Sequence, residues 1–148
     1  MVTADMVPSK LLIEAITEEL KTNEKIFQPP KWADYVKLGL NRENAPESQK
    51  DWWHTRVASI LRKVYLYGPL GVSHMKKMYG GRKNRGNKPE KSSSGSGAII
   101  RHAFQQLEKA GYVTFVTGEG RSVTPEGRSF VDSIAYKVKQ QISELVKY

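Results

Sequence analysis

Residues 98–127 read AIIRHAFQQLEKAGYVTFVTGEGRSVTPEG. Ile100, Ala103, Phe104 and Leu107 recur at helical spacing on one face, while Arg101, His102, Gln105 and Lys109 point away, so 98–110 is an amphipathic helix. Gly111 suits the residue just past a helix end. Tyr112, Thr114 and Val116 then alternate with Val113 and Phe115, and Gly118 and Gly120 bend the chain back. This is a β-hairpin signal. Thr124-Pro125-Glu126 restarts a helix with an N-cap, a first-turn proline and an acid at the positive end. Phe130, Ile134, Val138, Ile142 and Leu145 carry its apolar row.

Working outward, the same spacing places a helix over 8–22, with Leu12, Ala15, Ile16 and Leu20 inward. Pro29-Pro30 forces an extended crossing. Trp32, Tyr35, Val36 and Leu38 suggest one or two helical turns with Trp32 in the core, and 41–51 read as a polar loop. A central helix over 52–67 buries Trp53, Val57, Ile60, Leu61 and Val64. Trp52, Arg56, Ser59 and Lys63 follow a row on an adjacent face, with Arg62 further round. That row is open to two readings: an RNA-facing ridge, or a core margin with solvated cations. A short helix over 70–79 follows, with Lys76 and Lys77 outward. The order helix, helix, helix, hairpin, helix gives a mainly α fold: a winged helix-turn-helix with an N-terminal helical extension and a small β-hairpin wing. One domain of 148 residues is expected, with 1–50 as the extension and 51–148 as the winged-helix core.

Charge is placed unevenly. The net charge is +9, yet residues 50–101 hold 12 Lys/Arg against 2 Asp/Glu and the remainder 12 against 13. The surplus peaks in 76–91, KKMYGGRKNRGNKPEK, with Lys76, Lys77, Arg82, Lys83, Arg85, Lys88 and Lys91 against Glu90. Its glycines and Pro89 argue for a loop without regular structure that a polyanion would settle. The serines and glycines of 92–97 read as the start of the next helix. Clustered charge of one sign is the footprint of a nucleic-acid binder. An anionic membrane surface fits less well, because the run lacks an apolar face.

Enzymatic chemistry finds little support. Cysteine is absent, and His54, His74 and His102 fall on different elements without a carboxylate at relay or ligand spacing. No metal or other cofactor is expected. No apolar run reaches the roughly 20 residues of a membrane span, and the N-terminus has no signal-peptide pattern.

Several runs together resemble one family. They are Pro30-Lys31-Trp32, Asp51-Trp52-Trp53-His54-Thr55-Arg56-Val57-Ala58-Ser59-Ile60-Leu61-Arg62, Tyr65-Leu66-Tyr67-Gly68, Gly71-Val72, the loop Tyr79-Gly80-Gly81-Arg82-Lys83-Asn84-Arg85-Gly86, Arg101 through Leu107-Glu108, Gly120-Arg121 and Thr124-Pro125-Glu126-Gly127. They look like small-subunit ribosomal protein nineteen of the archaeal and eukaryotic type. The resemblance spans nearly the whole chain, most clearly residues 30–127. It implies a structural constituent of the cytoplasmic ribosome that binds small-subunit ribosomal RNA in the head, meets neighbouring head proteins and supports subunit assembly. His102 departs from the expected second cation beside Arg101. Combining charge, ridge and resemblance, the expected RNA-binding residues are Trp52, Arg56, Arg62, Lys63, Lys76, Lys77, Tyr79, Arg82, Lys83, Arg85, Lys88, Arg101, Gln105 and Arg121. Trp52 and Tyr79 are the candidate base-stacking rings. The free protein is expected to be a monomer. The competing function is a winged-helix transcription regulator on duplex DNA, which would dimerise and read bases through 98–110.

Overall fold

The computed structural model describes residues 2–39 and 51–146, with side chains to residue 144. Residues 41–50 of the expected loop at 41–51, and the side chain of Leu145, lie outside the described residues. After a 3₁₀ turn at Ala4–Met6 come helices α1 (Ser9–Lys21), α2 (Trp52–Tyr67) and α3 (Val72–Met78). Strands β1 (Gly81–Arg85) and β2 (Lys88–Ser93) precede α4 (Gly97–Ala110); β3 (Val113–Val116), β4 (Gly120–Val123) and α5 (Pro125–Val146) complete the chain.

α2 is the hub. It packs on α1, α4 and β4, and α5 closes over α1. Being covered on two sides, α2 buries more than one stripe: Trp52, Ala58 and Tyr65 join Trp53, Val57, Ile60, Leu61 and Val64. Leu12, Ile16 and Leu20 of α1 belong to the same apolar cluster as Phe104, Leu107, Val131 and Val138. The extension helix is therefore part of the common core. Tyr112 lies between Phe27 and Phe130, with parallel rings at 6.3 and 4.4 Å.

The wing forms as its pattern suggests. β3 and β4 pair antiparallel from Val113↔Val123 to Val116↔Gly120. Leu70 exchanges backbone hydrogen bonds with Arg121 at 2.9 and 3.0 Å, which adds a one-residue third strand at the β4 edge of the wing. Gly120 makes this possible: its φ is +103°, and a Cβ there would lie 2.6 Å from the Leu70 carbonyl carbon. Gly111 ends α4 in the left-handed conformation at φ 82°. Thr124 caps α5 by accepting the Gly127 N–H at 3.0 Å and donates its own hydroxyl to the Gly111 carbonyl at 2.6 Å. The cap thus also ties α5 to the end of α4.

Three expectations are corrected. Residues 31–35 form successive tight turns, through Ala33 N–H to Pro30 and Tyr35 N–H to Trp32, and Tyr35 is exposed. The basic run 76–91 is not an irregular loop but the end of α3 followed by an antiparallel hairpin. Residues 92–93 finish β2, so only the last part of the serine stretch leads into α4, which starts at Gly97.

Candidate nucleic-acid interface

β1 and β2 pair in the register Gly81↔Ser93, Arg82↔Ser92, Lys83↔Lys91 and Arg85↔Lys88, with a bulge between Lys83 and Arg85. Asn84 bends the tip by accepting the Gly86 N–H at 2.9 Å, and Gly86 has φ 74°. Residues 82–92 are all exposed, so the ribbon has no apolar face on the core. Two of its cross-strand pairs set like charges opposite each other, which destabilises a hairpin. A two-stranded ribbon in water is marginal even without that. Opposing this, Arg82 Nη1 lies 3.8 Å from Glu90, an exposed pair of small worth.

The base of the ribbon is tightly built. A Cβ on Gly80 would meet the Ser93 carbonyl oxygen at 2.2 Å, and one on Gly95 would meet Tyr79 Cβ at 3.1 Å. Gly95 donates to the Lys76 carbonyl at 2.8 Å, and Ser96 donates to Leu38 at 2.9 Å. Where α4 begins, a Cβ on Gly97 would lie 3.1 Å from Arg101 Nη1 and 3.3 Å from Lys76 Cδ. Two cations from α3 and α4 therefore close over one glycine.

Tyr79 joins this base to α2. Its hydroxyl hydrogen-bonds the Ser59 hydroxyl at 2.6 Å, and Lys63 Nζ donates to the same Ser59 oxygen at 3.3 Å. The Arg56 guanidinium lies 4.1 Å, and the Lys63 ammonium 3.9 Å, from the Tyr79 ring centroid. Burial pushes the Tyr79 phenol above its ordinary value. Burial, with Arg56 and Arg62 nearby, holds the Lys63 ammonium below its own. Arg62 Nε is buried with no hydrogen-bond partner among the described residues. Trp52, Arg56, Ser59 and Tyr79 line one small cleft of about 230 Å³ with Ile13, Leu38 and Thr55.

The sequence-predicted residues thus divide. Arg56, Lys63 and Tyr79 converge, with Arg62 close enough for its charge to be felt at Lys63 and Tyr79. Lys76 and Arg101 both lie against Gly97, and Lys77, Arg82, Lys83, Arg85, Lys88 and Gln105 are exposed. Two others take a different place. Trp52 is 6 % exposed and stands edge-on to Trp53 at 5.7 Å, so its ring is core rather than a stacking platform. Arg121 donates from Nε to Glu108 at 2.8 Å and lies near the Phe104 and Phe115 rings, so it braces the wing against α4. His102, the unexpected neighbour of Arg101, packs edge-on to Trp32 at 5.1 Å. Ser59, the anchor of Tyr79, was missing from the predicted set, although its place in the Arg56–Lys63 row was the available signal.

Among the described residues no group of three or more His, Asp or Glu side chains could hold a metal ion, and no helix is long and apolar enough to cross a membrane.

Against known proteins, the family model described as ribosomal protein S19e matches residues 3–141. The small ribosomal subunit protein eS19 of Thermoplasma acidophilum is 44% identical over 144 residues, covering 97% of this chain and 94% of that protein. Its counterpart in Haloarcula marismortui is 43% identical over 154 residues, covering 100% and 99%. That of Entamoeba histolytica is 41% identical over 129 residues, covering 87% and 81%.

Proposed function

This chain belongs to the ribosomal protein S19e family, and we propose that it is a structural constituent of the small ribosomal subunit that grips ribosomal RNA in the subunit head. It is a component of the cytoplasmic ribosome and not an enzyme. The core positions a cationic front made of the Arg56–Lys63 ridge, Lys76 and Arg101 at the start of α4, and the β1–β2 ribbon. The observation that carries this reading is the ribbon itself: an exposed hairpin with Lys83 opposite Lys91 and Arg85 opposite Lys88. Such a ribbon gains most from a partner that brings dense negative charge between and around its strands.

Phosphate supplies that charge. Contacts of this kind set position and shape recognition rather than base sequence. If six or so cations of the 76–91 segment reach phosphate, log affinity falls with log salt at a slope of roughly −4 to −5. Through the same contacts the protein supports subunit assembly beside neighbouring head proteins, and it is a monomer before it joins them.

Filter binding tests the reading. Small-subunit ribosomal RNA and random duplex DNA are compared at two salt concentrations, with solution mass measured alongside. Tighter, salt-sensitive binding of the RNA by a monomer is expected. Tighter binding of a palindromic duplex by a dimer would favour the transcription-regulator reading instead.

A further inference from the structure

We infer that Tyr79 is a positioning residue for the cationic front rather than a ring on which a base stacks: it holds Arg56 and Lys63 in place and fixes them to the base of the ribbon. This rests on the RNA-binding reading above and names what organises its contact surface.

Tyr79 stands where three parts of the front meet. It is the last residue before Gly80, whose missing side chain lets the Ser93 carbonyl approach, and Gly95 passes against its Cβ. Its hydroxyl is tied to Ser59 on α2. Its ring has the Arg56 and Lys63 cations at 4.1 and 3.9 Å, so the π-surface that a base would need is already engaged. Stacking would require a base to displace these cations from the ring, in a partly buried position.

The arrangement serves phosphate binding better. Arginine and lysine side chains lose substantial rotamer freedom when fixed on a ligand. Holding them beforehand against a ring removes part of that loss at the moment of binding. A guanidinium lying against an aromatic face still directs N–H groups outward in its own plane. Arg56, Arg62 and Lys63 also raise one another's electrostatic cost: Lys63 is depressed by burial first and by its two arginine neighbours after it. A phosphate at this front relieves that repulsion, whereas an uncharged base face does not.

The test uses the full chain and a transcript of the small-subunit ribosomal RNA head domain, with binding measured across a salt series and thermal unfolding run beside it. Tyr79→Phe keeps the ring but loses the tie to Ser59, and is expected to keep the salt slope while binding less tightly than the unaltered protein and more tightly than Tyr79→Leu. Tyr79→Leu keeps apolar bulk but not the ring's charge distribution. It is expected to flatten the log–log salt slope by about 1 to 2, the loss of one or two held phosphate contacts. Should Tyr79→Leu fail to fold, Tyr79→Met carries the same comparison. Weaker binding by Tyr79→Leu at an unchanged slope would identify a stacking ring and overturn the inference, as would affinity and slope both unchanged. Absence of binding by the unaltered protein would instead overturn the RNA-binding reading on which the inference rests, so the two failures are distinguishable.

Discussion

Replacing Lys83 and Arg85 together by glutamine separates a binding ribbon from a structural one. Both side chains are exposed, and each faces a second cation across the ribbon, Lys91 and Lys88 respectively. Neither contributes to the core cluster. Relief of two opposed like-charge pairs is worth about 0.2–1 kcal/mol each, in the stabilising direction. In a chain of this size a kilocalorie moves the melting temperature by about 2–4 °C. The double variant should therefore melt at the same temperature or a few degrees higher. Binding should respond in the opposite sense. Each phosphate contact contributes roughly 0.7–0.9 to the log–log salt slope, so losing two flattens it by about 1.5. Between about 50 and 200 mM salt, the affinity lost should shrink roughly tenfold relative to the unaltered protein. Filter binding over a salt series and differential scanning calorimetry read the two quantities. An unchanged slope, or a melting temperature lowered by more than about 5 °C, would refute the reasoning.

Phe104→Ala, at a side chain with no exposed surface, should cost about 3–5 kcal/mol in urea unfolding; a cost under 1 kcal/mol would mean the α4 face is not core. Thr124→Ala removes the α5 cap and the bond to Gly111, and should lower stability by about 0.5–2 kcal/mol in the same assay. Arg121→Gln should destabilise the wing by about 1–2 kcal/mol, since it breaks a charged hydrogen bond to Glu108 at 2.8 Å, while leaving the RNA salt slope unchanged. A flatter slope for that variant would return Arg121 to the binding surface.

The long helices and the wing were legible because their signals are local. α1, α2 and α4 each carry an apolar stripe at helical spacing, and Gly111, Gly120 and Thr124 do what their residue types allow best. The β1–β2 ribbon was hidden because it has none of the apolar alternation that betrays a strand. Its glycines, proline and like charges argue against pairing, and what organises it is an Asn84–Gly86 turn and the close approach at Gly80. The surroundings of Trp52 and Tyr79 were not legible for a related reason. Trp52 packs edge-on to Trp53 and lines a cleft with Ile13 and Leu38, and Tyr79 is held by residues 16 to 23 positions earlier. Periodicity shows which face a residue occupies, not what another element brings against it. Arg121, expected on the RNA-binding surface, likewise has a partner 13 residues away in Glu108 that its own position does not reveal.

Lysine acetylation of the protein free and within purified small ribosomal subunits, quantified site by site, tests most directly that one cationic front grips the RNA. Lys63, Lys76, Lys77, Lys83, Lys88 and Lys91 should become protected in the subunit, while the exposed Lys10 on α1 and Lys139 on α5 stay reactive. Hairpin lysines as reactive in the subunit as in the free protein would contradict the account.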